Sequence, residues 1–497
     1  MSSRYTEFID LARELADIDH AQSLLSWDQE TYMPARGATQ RARSLGALAG
    51  IHHEKLTAPR LVGLVVELSD RGCEGEEGVN LRQLKRVQDR ALKIPRELVV
   101  ELTETQSLAH EAWIEARSRS EFPLFAPWLI KVLELQKQVA HRVGFDGTIY
   151  NAFLDVYEPY AVTEDLLPVL EELRRRLVPL VEKIQATGKR PAAGILDRTF
   201  PLSQQEAFGR RVMADMGFDP EAGRLDVSVH PFCSSLSRQD VRLTTRYRED
   251  QLTSSIFGTI HECGHGLYEQ GLPENADGTP AGNSISLGIH ESQSRMWENM
   301  VGRSRQFWEH YLPVLREHYP DQLEEVEVDQ FYAAVNHVEA SPIRVEADEV
   351  TYDLHILLRF ELERDLLEER LTVGDLPEAW MDRMEAYLGI RPESDAVGVL
   401  QDVHWSLGLI GYFPTYTLGN LYAAQFFSRA QIEMPNLMDQ VRRGQLLDLR
   451  HWLREKIHGR GMRVTAGELV QEVTGEPLRV DFLMDYLEGK FGQLYDI

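Results

Sequence analysis

The segment His261-Glu262-Cys263-Gly264-His265 carries the clearest chemistry in this chain, because two histidines stand four residues apart and a glutamate follows the first. On an α-helix this spacing brings both imidazoles to one face about one turn apart, where they can bind one cation at about 2 Å. Glu262 is rotated by about 100°, too far for a third ligand but within reach of a water molecule on the cation. The segment therefore predicts two metal ligands and a general base on one helix, as in the H-E-x-x-H motif of zinc peptidases.

A catalytic zinc ion normally has three protein ligands, so the third must come from another helix. Glu291 is the best candidate, and Ser284 or Ser286 could cap the helix that carries it. Glu298 lies seven residues later on the same face, where it could hold a histidine ligand or simply face solvent. His290 is the rival ligand, but on a helix it is turned about 100° from Glu291 and cannot share its role.

The elements that must position these residues are mostly helices. Apolar residues recur at three- and four-residue spacing in the segments 5–26, 82–118, 163–187, 323–340, 345–370 and 376–388. In residues 223–230 and 240–247, apolar and polar residues alternate instead, which predicts a small β-sheet. This sheet would lie just before the metal helix, the predicted helix that carries His261 and His265. An edge strand of this sheet could pair with a substrate backbone, or the two segments could form a hairpin that only packs on the core.

The boundaries of the metal helix and of the domain can also be predicted. Ser254 or Ser255 is a plausible N-cap, and Gly271 followed by Pro273 is a typical end signal. The candidate site residues span 230–416, which favours one large helical unit over separate modules. We therefore expect a mainly α fold in which residues 1–497 form a single domain.

The composition limits the class of partner. Acidic residues outnumber basic ones by 79 to 53, for a net charge of −26, which argues against a nucleic-acid-binding face. Three cysteines do not make a disulfide framework and favour a reducing compartment. The sequence has no apolar run of about 18 residues and no signal-peptide stretch, so we expect a soluble, cytoplasmic protein without a membrane span.

Two further groups of residues stand out near the C-terminal half. Arg344 and Asp348 have the spacing of an ion pair on a helix. His404 lies among bulky apolar residues shortly before Tyr416, and by itself it is best interpreted as a core histidine whose hydrogen bonds a neighbour satisfies.

Together these residues resemble a known family, the carboxypeptidase Taq family of metallocarboxypeptidases. The resemblance covers six segments in order, which are His230–Phe232, Asp240–Thr244, His261–His265, His290–Gln293, Ile343–Asp348 and Gly398–Trp405. Near the N-terminus, Trp27-Asp28 and Met33–Gln40 are also similar to the family.

The resemblance implies a large helical, zincin-like fold with a deep active-site groove between two helical halves, a small β-sheet next to the metal helix, and a homodimer. It implies a carboxypeptidase that releases single C-terminal residues from peptides, with broad side-chain tolerance, poor action at proline, and Zn²⁺ or Co²⁺ as the cofactor. The residues implied are the metal ligands His261, His265 and Glu291, the base Glu262 and the carboxylate anchor Arg344. By analogy with related helical zinc peptidases, His404 and Tyr416 are the expected transition-state donors, and Arg242 is our reserve candidate for the carboxylate anchor.

Two other functions stay open. A zinc endopeptidase or oligopeptidase on a similar helical scaffold would share the metal chemistry. A non-enzymatic, acidic helical scaffold would hold no metal at its histidines. The expected partners are therefore peptide substrates, and neither nucleic acid nor a membrane.

Overall fold

Helices account for most of the structure, which is a computed structural model describing residues 3–191 and 194–497. The α-helices in these ranges are α1 Ser3–Thr31, α2 Ala38–Leu56, α3 Pro59–Asp70, α4 Gly75–Lys93, α5 Arg96–Arg119, α6 Ala126–Val143, α7 Asn151–Tyr157, α8 Thr163–Ala186, α9 Leu202–Met216, α10 Leu252–Gly271, α11 Leu287–Arg295, α12 Arg305–His318, α13 Pro320–Leu323, α14 Val328–Val335, α15 Tyr352–Leu367, α16 Leu376–Leu388, α17 Pro414–Glu433, α18 Leu437–Arg442, α19 Leu447–Lys456, α20 Ala466–Thr474 and α21 Asp481–Tyr495. A π-helical segment, Met296–Gly302, continues α11. The mainly α fold predicted from the sequence is confirmed.

Several predicted helix boundaries are wrong for identifiable reasons. The segment 82–118 is divided into α4 and α5, because Pro95 lacks a backbone N–H and stands directly before α5. The segment 323–340 is helical mainly in α14, and 345–370 becomes α-helical only at Tyr352. Amphipathic spacing therefore identifies the helices here better than it identifies their ends.

A three-stranded sheet precedes α10, the helix that carries His261 and His265, as the alternating segments predict. Its strands are β1 Gly223–Val227, β2 Cys233–Ser237 and β3 Asp240–Thr245, in the spatial order β1-β3-β2. β1 and β3 run parallel, so the two predicted segments do not form a hairpin, and β2 is the antiparallel edge strand. The sheet packs on α10, where the Thr259 hydroxyl lies 3.1 Å from that of Thr245.

Glycines on two helices allow close contact with α11. A Cβ on Gly264 of α10 would lie 2.6 Å from the Cα of Ser294, and a Cβ on Gly419 of α17 would lie 2.6 Å from the Cβ of Glu291. The Ser286 side chain accepts a hydrogen bond from the amide of Ile289, so the predicted cap of α11 is confirmed. The predicted caps of α10 are wrong, because that helix already begins at Leu252.

The apolar residues form more than one cluster. Helices α1 to α4 share a cluster that includes Phe8, Leu61 and Leu81, whereas the largest cluster has members from Ala109 to Tyr495. A cavity of about 600 Å³ lies between α1 and the start of β2.

No helix in the described part of the chain combines the length and the apolar character that crossing a membrane requires. A single domain over residues 1–497 stays a prediction.

Candidate metal centre

Three potential metal ligands from two helices meet at one point. His261 and His265 lie on α10 and Glu291 lies on α11, and one donor atom of each falls within 4.8 Å of the others. The Glu291 Oε2 atom is 3.7 Å from His261 Nε2 and 3.5 Å from His265 Nε2. Donors that share a tetrahedral zinc ion at about 2 Å are about 3.3 Å apart, so these distances fit one small cation.

Charged side chains behind the ligands fix their orientation. The Nδ1–H of His261 donates to Glu298 Oε2 at 2.9 Å, which leaves Nε2 facing the other two ligands. Arg295 Nε donates to Glu291 Oε1 at 2.7 Å, which leaves Oε2 for a cation. Arg303 also donates to Glu298, at 3.3 Å. The arrangement presents two imidazole nitrogens and one carboxylate oxygen, a donor set that zinc accepts.

The surroundings also set the charges of these groups. Burial acts to raise the pKa of Glu291, but Arg295 and the two histidines outweigh it and hold this pKa well below its ordinary value. Burial opposes ionisation of Glu298 as well, yet the bond from His261 and the charge of Arg295 lower its pKa to about 2. Burial lowers the pKa of His265 to about 4, which favours the neutral imidazole that binds metals.

Glu262 lies in the same helix but outside the ligand set. Its side chain is 6% exposed, and burial raises its pKa to about 7, with His261 opposing the shift. A carboxylate of that pKa can both accept and return a proton near neutral pH, which is what a general base requires. The neighbouring Cys263 is fully buried in the large apolar cluster.

Arg344 is tied to the ligand set through aromatic and charged neighbours. The Arg295 guanidinium lies 4.3 Å from the centre of the Tyr352 ring, and the Tyr352 hydroxyl accepts from Arg344 Nη1 at 3.2 Å. Arg344 is 7% exposed, and its Nε and Nη2 donate to Asp402 Oδ1 at 3.0 and 2.9 Å. The predicted ion pair with Asp348 is wrong, because Asp348 accepts from the start of α15 instead.

His404 and Tyr416 lie beside Arg344. The Tyr416 hydroxyl is 3.3 Å from His404 Nε2, and the Arg344 guanidinium lies 5.0 Å from the centre of the Tyr416 ring. Within residues 3–191 and 194–497, the buried His404 Nδ1 has no hydrogen-bond partner, and Asp402 Oδ1 lies 3.9 Å from it. Burial lowers the pKa of His404 to about 4, so near neutral pH this imidazole is uncharged. The structure thus brings Arg344, His404 and Tyr416 into one group.

Arg242 has a different neighbourhood from Arg344. It lies on β3, its Nε is 2.9 Å from Asp240 Oδ1, and its guanidinium lies 4.4 Å from the centre of the Trp27 ring. These contacts join the sheet to the end of α1. Arg242 therefore contacts Asp240 and Trp27, whereas Arg344 contacts Asp402 and Tyr352.

Three residues of the site were not singled out from the sequence as part of it. Arg295 could have been found, because it stands one helical turn after Glu291. Arg359, whose Nε donates to Asp402 Oδ2 at 2.6 Å, belongs to the site as well. No sequence signal points to Tyr352 or Arg359, since their contacts depend on how α15 packs. His290, considered above as a rival ligand, lies behind His265 with its Nδ1 2.6 Å from His265 Nδ1.

The whole chain is also similar in sequence to known proteins. Residues 7–491 match the family model described as carboxypeptidase Taq (M32) metallopeptidase. Thermostable carboxypeptidase 1 of Thermus thermophilus is 44% identical, and the match covers 99% of each chain. Thermostable carboxypeptidase 1 of Pyrococcus furiosus is 40% identical over 96% of each chain.

A solved structure gives the same result for the fold. The M32 carboxypeptidase from Deinococcus radiodurans superposes with a TM-score of 0.97 over 100% of both chains, at 40% identity. The family model covers nearly the whole length, and the relatives are matched from end to end. The chain therefore belongs to the carboxypeptidase Taq (M32) family of metallopeptidases, and it is a peptide hydrolase.

Proposed function

We propose that this chain releases single amino acids from the C-terminus of peptides, with one divalent cation held by His261, His265 and Glu291. The observation that carries the proposal is that Glu291 Oε2 lies 3.5–3.7 Å from the Nε2 atoms of both histidines. The buried Arg344, which can receive a carboxylate, is connected to Glu291 through Tyr352 and Arg295. The relatives named as carboxypeptidases support this direction of cleavage over internal cleavage.

Zinc is the proposed cation, with cobalt as an alternative, because two imidazoles and one carboxylate suit both ions. When bound, the ion would lower the pKa of a water molecule towards about 7 and polarise the scissile carbonyl. Glu262 is the proposed base, which takes a proton from the attacking water and returns it to the leaving amine. His404 and Tyr416 are proposed to donate hydrogen bonds to the oxyanion, with the Tyr416 hydroxyl as the stronger donor while His404 is neutral.

Arg344 is the proposed anchor for the terminal carboxylate of the substrate. Asp402 accepts from Arg344 at 2.9 Å and from Arg359 at 2.6 Å, so two buried guanidinium groups share one carboxylate. A second carboxylate would compensate the remaining positive charge, and a guanidinium binds one through parallel hydrogen bonds. Arg242 stays the reserve candidate, although Asp240 already compensates its charge.

The sheet supplies a place for the rest of the peptide. Phe232, Cys233 and Ser234 form one wall of the cavity of about 600 Å³, and α1 forms the opposite wall. Because β2 is an edge strand, an extended peptide could pair with it as a fourth strand. Cleavage that depends on backbone pairing would tolerate many side chains, which fits the broad specificity expected from the family resemblance.

Mass spectrometry of a digested peptide tests the proposal. We expect a ladder of single-residue losses from the C-terminus that stops before proline, and no digestion after a chelator has removed the metal. Internal cuts would favour the oligopeptidase alternative. Digestion that continues unchanged in protein stripped of metal would contradict the proposal.

Three finer expectations stay predictions: a homodimer, a cytoplasmic location, and zinc, with cobalt possible, as the bound ion. The free thiols of Cys73, Cys233 and Cys263 fit a reducing compartment.

A further inference from the structure

The two histidines of the metal centre are supported in different ways. His261 Nδ1 meets the carboxylate of Glu298 directly, at 2.9 Å. His265 Nδ1 meets a second imidazole instead, with His290 Nδ1 at 2.6 Å. On the far side of that ring, His290 Nε2 lies 2.7 Å from Glu269 Oε1. A chain of two hydrogen bonds therefore leads from His265 to a carboxylate on the same helix.

The direction of these hydrogen bonds follows from the chemistry of the groups. A neutral imidazole that binds a cation through Nε2 carries its proton on Nδ1, so His265 Nδ1 must donate. His290 Nδ1 must then accept, which puts the proton of His290 on Nε2. The carboxylate of Glu269 can only accept, so it fits the end of this chain. Each bond thus supports the His265 tautomer that presents the Nε2 lone pair to the cation.

We propose that His290 and Glu269 are positioning residues that fix the tautomer and the orientation of His265 for metal binding. The proposal rests on the proposed role of His265 as a ligand. Both ring nitrogens of His290 are engaged within the chain of hydrogen bonds, so neither is free for the cation. Glu269 follows His261 by eight residues, about 12 Å along the helix, which is too far for a shared ion.

Replacing His290 tests this role through zinc affinity, measured on metal-free protein by competition with a chromophoric chelator. His290→Phe keeps the ring shape but removes both nitrogens, and we expect it to weaken zinc binding by about 10- to 100-fold. Glu269→Gln should weaken it less, because the amide oxygen can still accept. The visible absorption of the cobalt-loaded protein should change in His290→Phe, since it reports the ligand geometry directly.

A conservative variant separates positioning from a general structural effect. The amide of His290→Gln can accept from His265 and donate to Glu269, so it should regain most of the zinc affinity. His458 is a matched control, because it is buried and packs on Tyr268 as His290 does, with ring centres 5.2 and 5.0 Å away. His458→Phe should leave the zinc affinity and the cobalt spectrum unchanged.

The results for His290→Phe and His265→Ala separate a failure of the positioning role from a failure of the proposed ligand assignment. Wild-type zinc affinity and an unchanged cobalt spectrum in His290→Phe would overturn the positioning role. His265→Ala should lose far more affinity than either His290 variant. If His265→Ala instead binds zinc as the wild type does, the ligand assignment itself is wrong, and the positioning role fails with it.

Discussion

Replacing Glu262 with glutamine is expected to lower kcat/KM by about 10²–10⁴ while the protein still binds one equivalent of zinc. The amide cannot take a proton from the attacking water, and Glu262 is not among the three grouped donors, so the metal should stay bound. Burial raises the pKa of Glu262 to about 7, which suits a base that both takes and returns a proton. Steady-state kinetics on a blocked dipeptide, together with metal analysis of the same sample, measure both quantities.

The adjacent residue provides a control for this prediction. Cys263 is fully buried in the same helix and belongs to the large apolar cluster. Cys263→Ala should therefore keep most of the activity, apart from a modest loss of stability caused by the small cavity. Wild-type turnover in zinc-loaded Glu262→Gln would refute the assignment of the base.

Replacing Arg344 with alanine is expected to remove the preference for a free C-terminal carboxylate. Hydrogen bonds between charged groups contribute roughly 1.5–3 kcal/mol, so kcat/KM for a free-acid peptide should fall by roughly 10- to 150-fold. The same peptide with an amidated C-terminus lacks the charge and should be affected far less. The ratio of the two kcat/KM values measures the effect directly.

Arg242→Ala is the matched variant for this experiment, because it removes a guanidinium that is bound to Asp240 and Trp27 rather than to Asp402. It should leave the ratio close to the wild-type value. Equal losses on the free-acid and amidated peptides in Arg344→Ala would show that Arg344 is not the anchor. A collapse of the ratio in Arg242→Ala alone would transfer the role to that residue.

The geometry of the metal centre is largely predictable because its constraints are local. The spacing of His261 and His265 depends only on α-helix geometry. Glu291 and Glu298 both contact His261, as their seven-residue spacing suggests, but Glu298 lies in the π-helical segment Met296–Gly302, which the sequence does not predict. The role of Gly264 cannot be predicted from the sequence. In the structure, its missing side chain allows the backbone of α11 to approach α10. The sequence therefore predicts which candidate ligands each helix carries, but not how closely the two helices pack.

Other parts of the site depend on contacts that spacing cannot reveal. The partner of Arg344 is Asp402, which lies 58 residues later, rather than Asp348 at helical spacing. The structure places Arg344 in a 3₁₀ turn before α15, so the local ion pair never forms. β2 was missed because Cys233-Ser-Ser-Leu-Ser237 lacks the apolar alternation of the other strands. Contacts between residues far apart in the sequence, such as Arg344 with Asp402, can therefore be identified only from the structure.

The proposed activity requires one divalent ion bound between α10 and α11, and anomalous X-ray scattering from zinc-loaded crystals locates such an ion. We predict a single anomalous peak about 2.0–2.2 Å from His261 Nε2, His265 Nε2 and a carboxylate oxygen of Glu291. A peak at other side chains, or a Glu291 carboxylate well beyond bonding distance from the ion, would show that the proposed metal site is wrong.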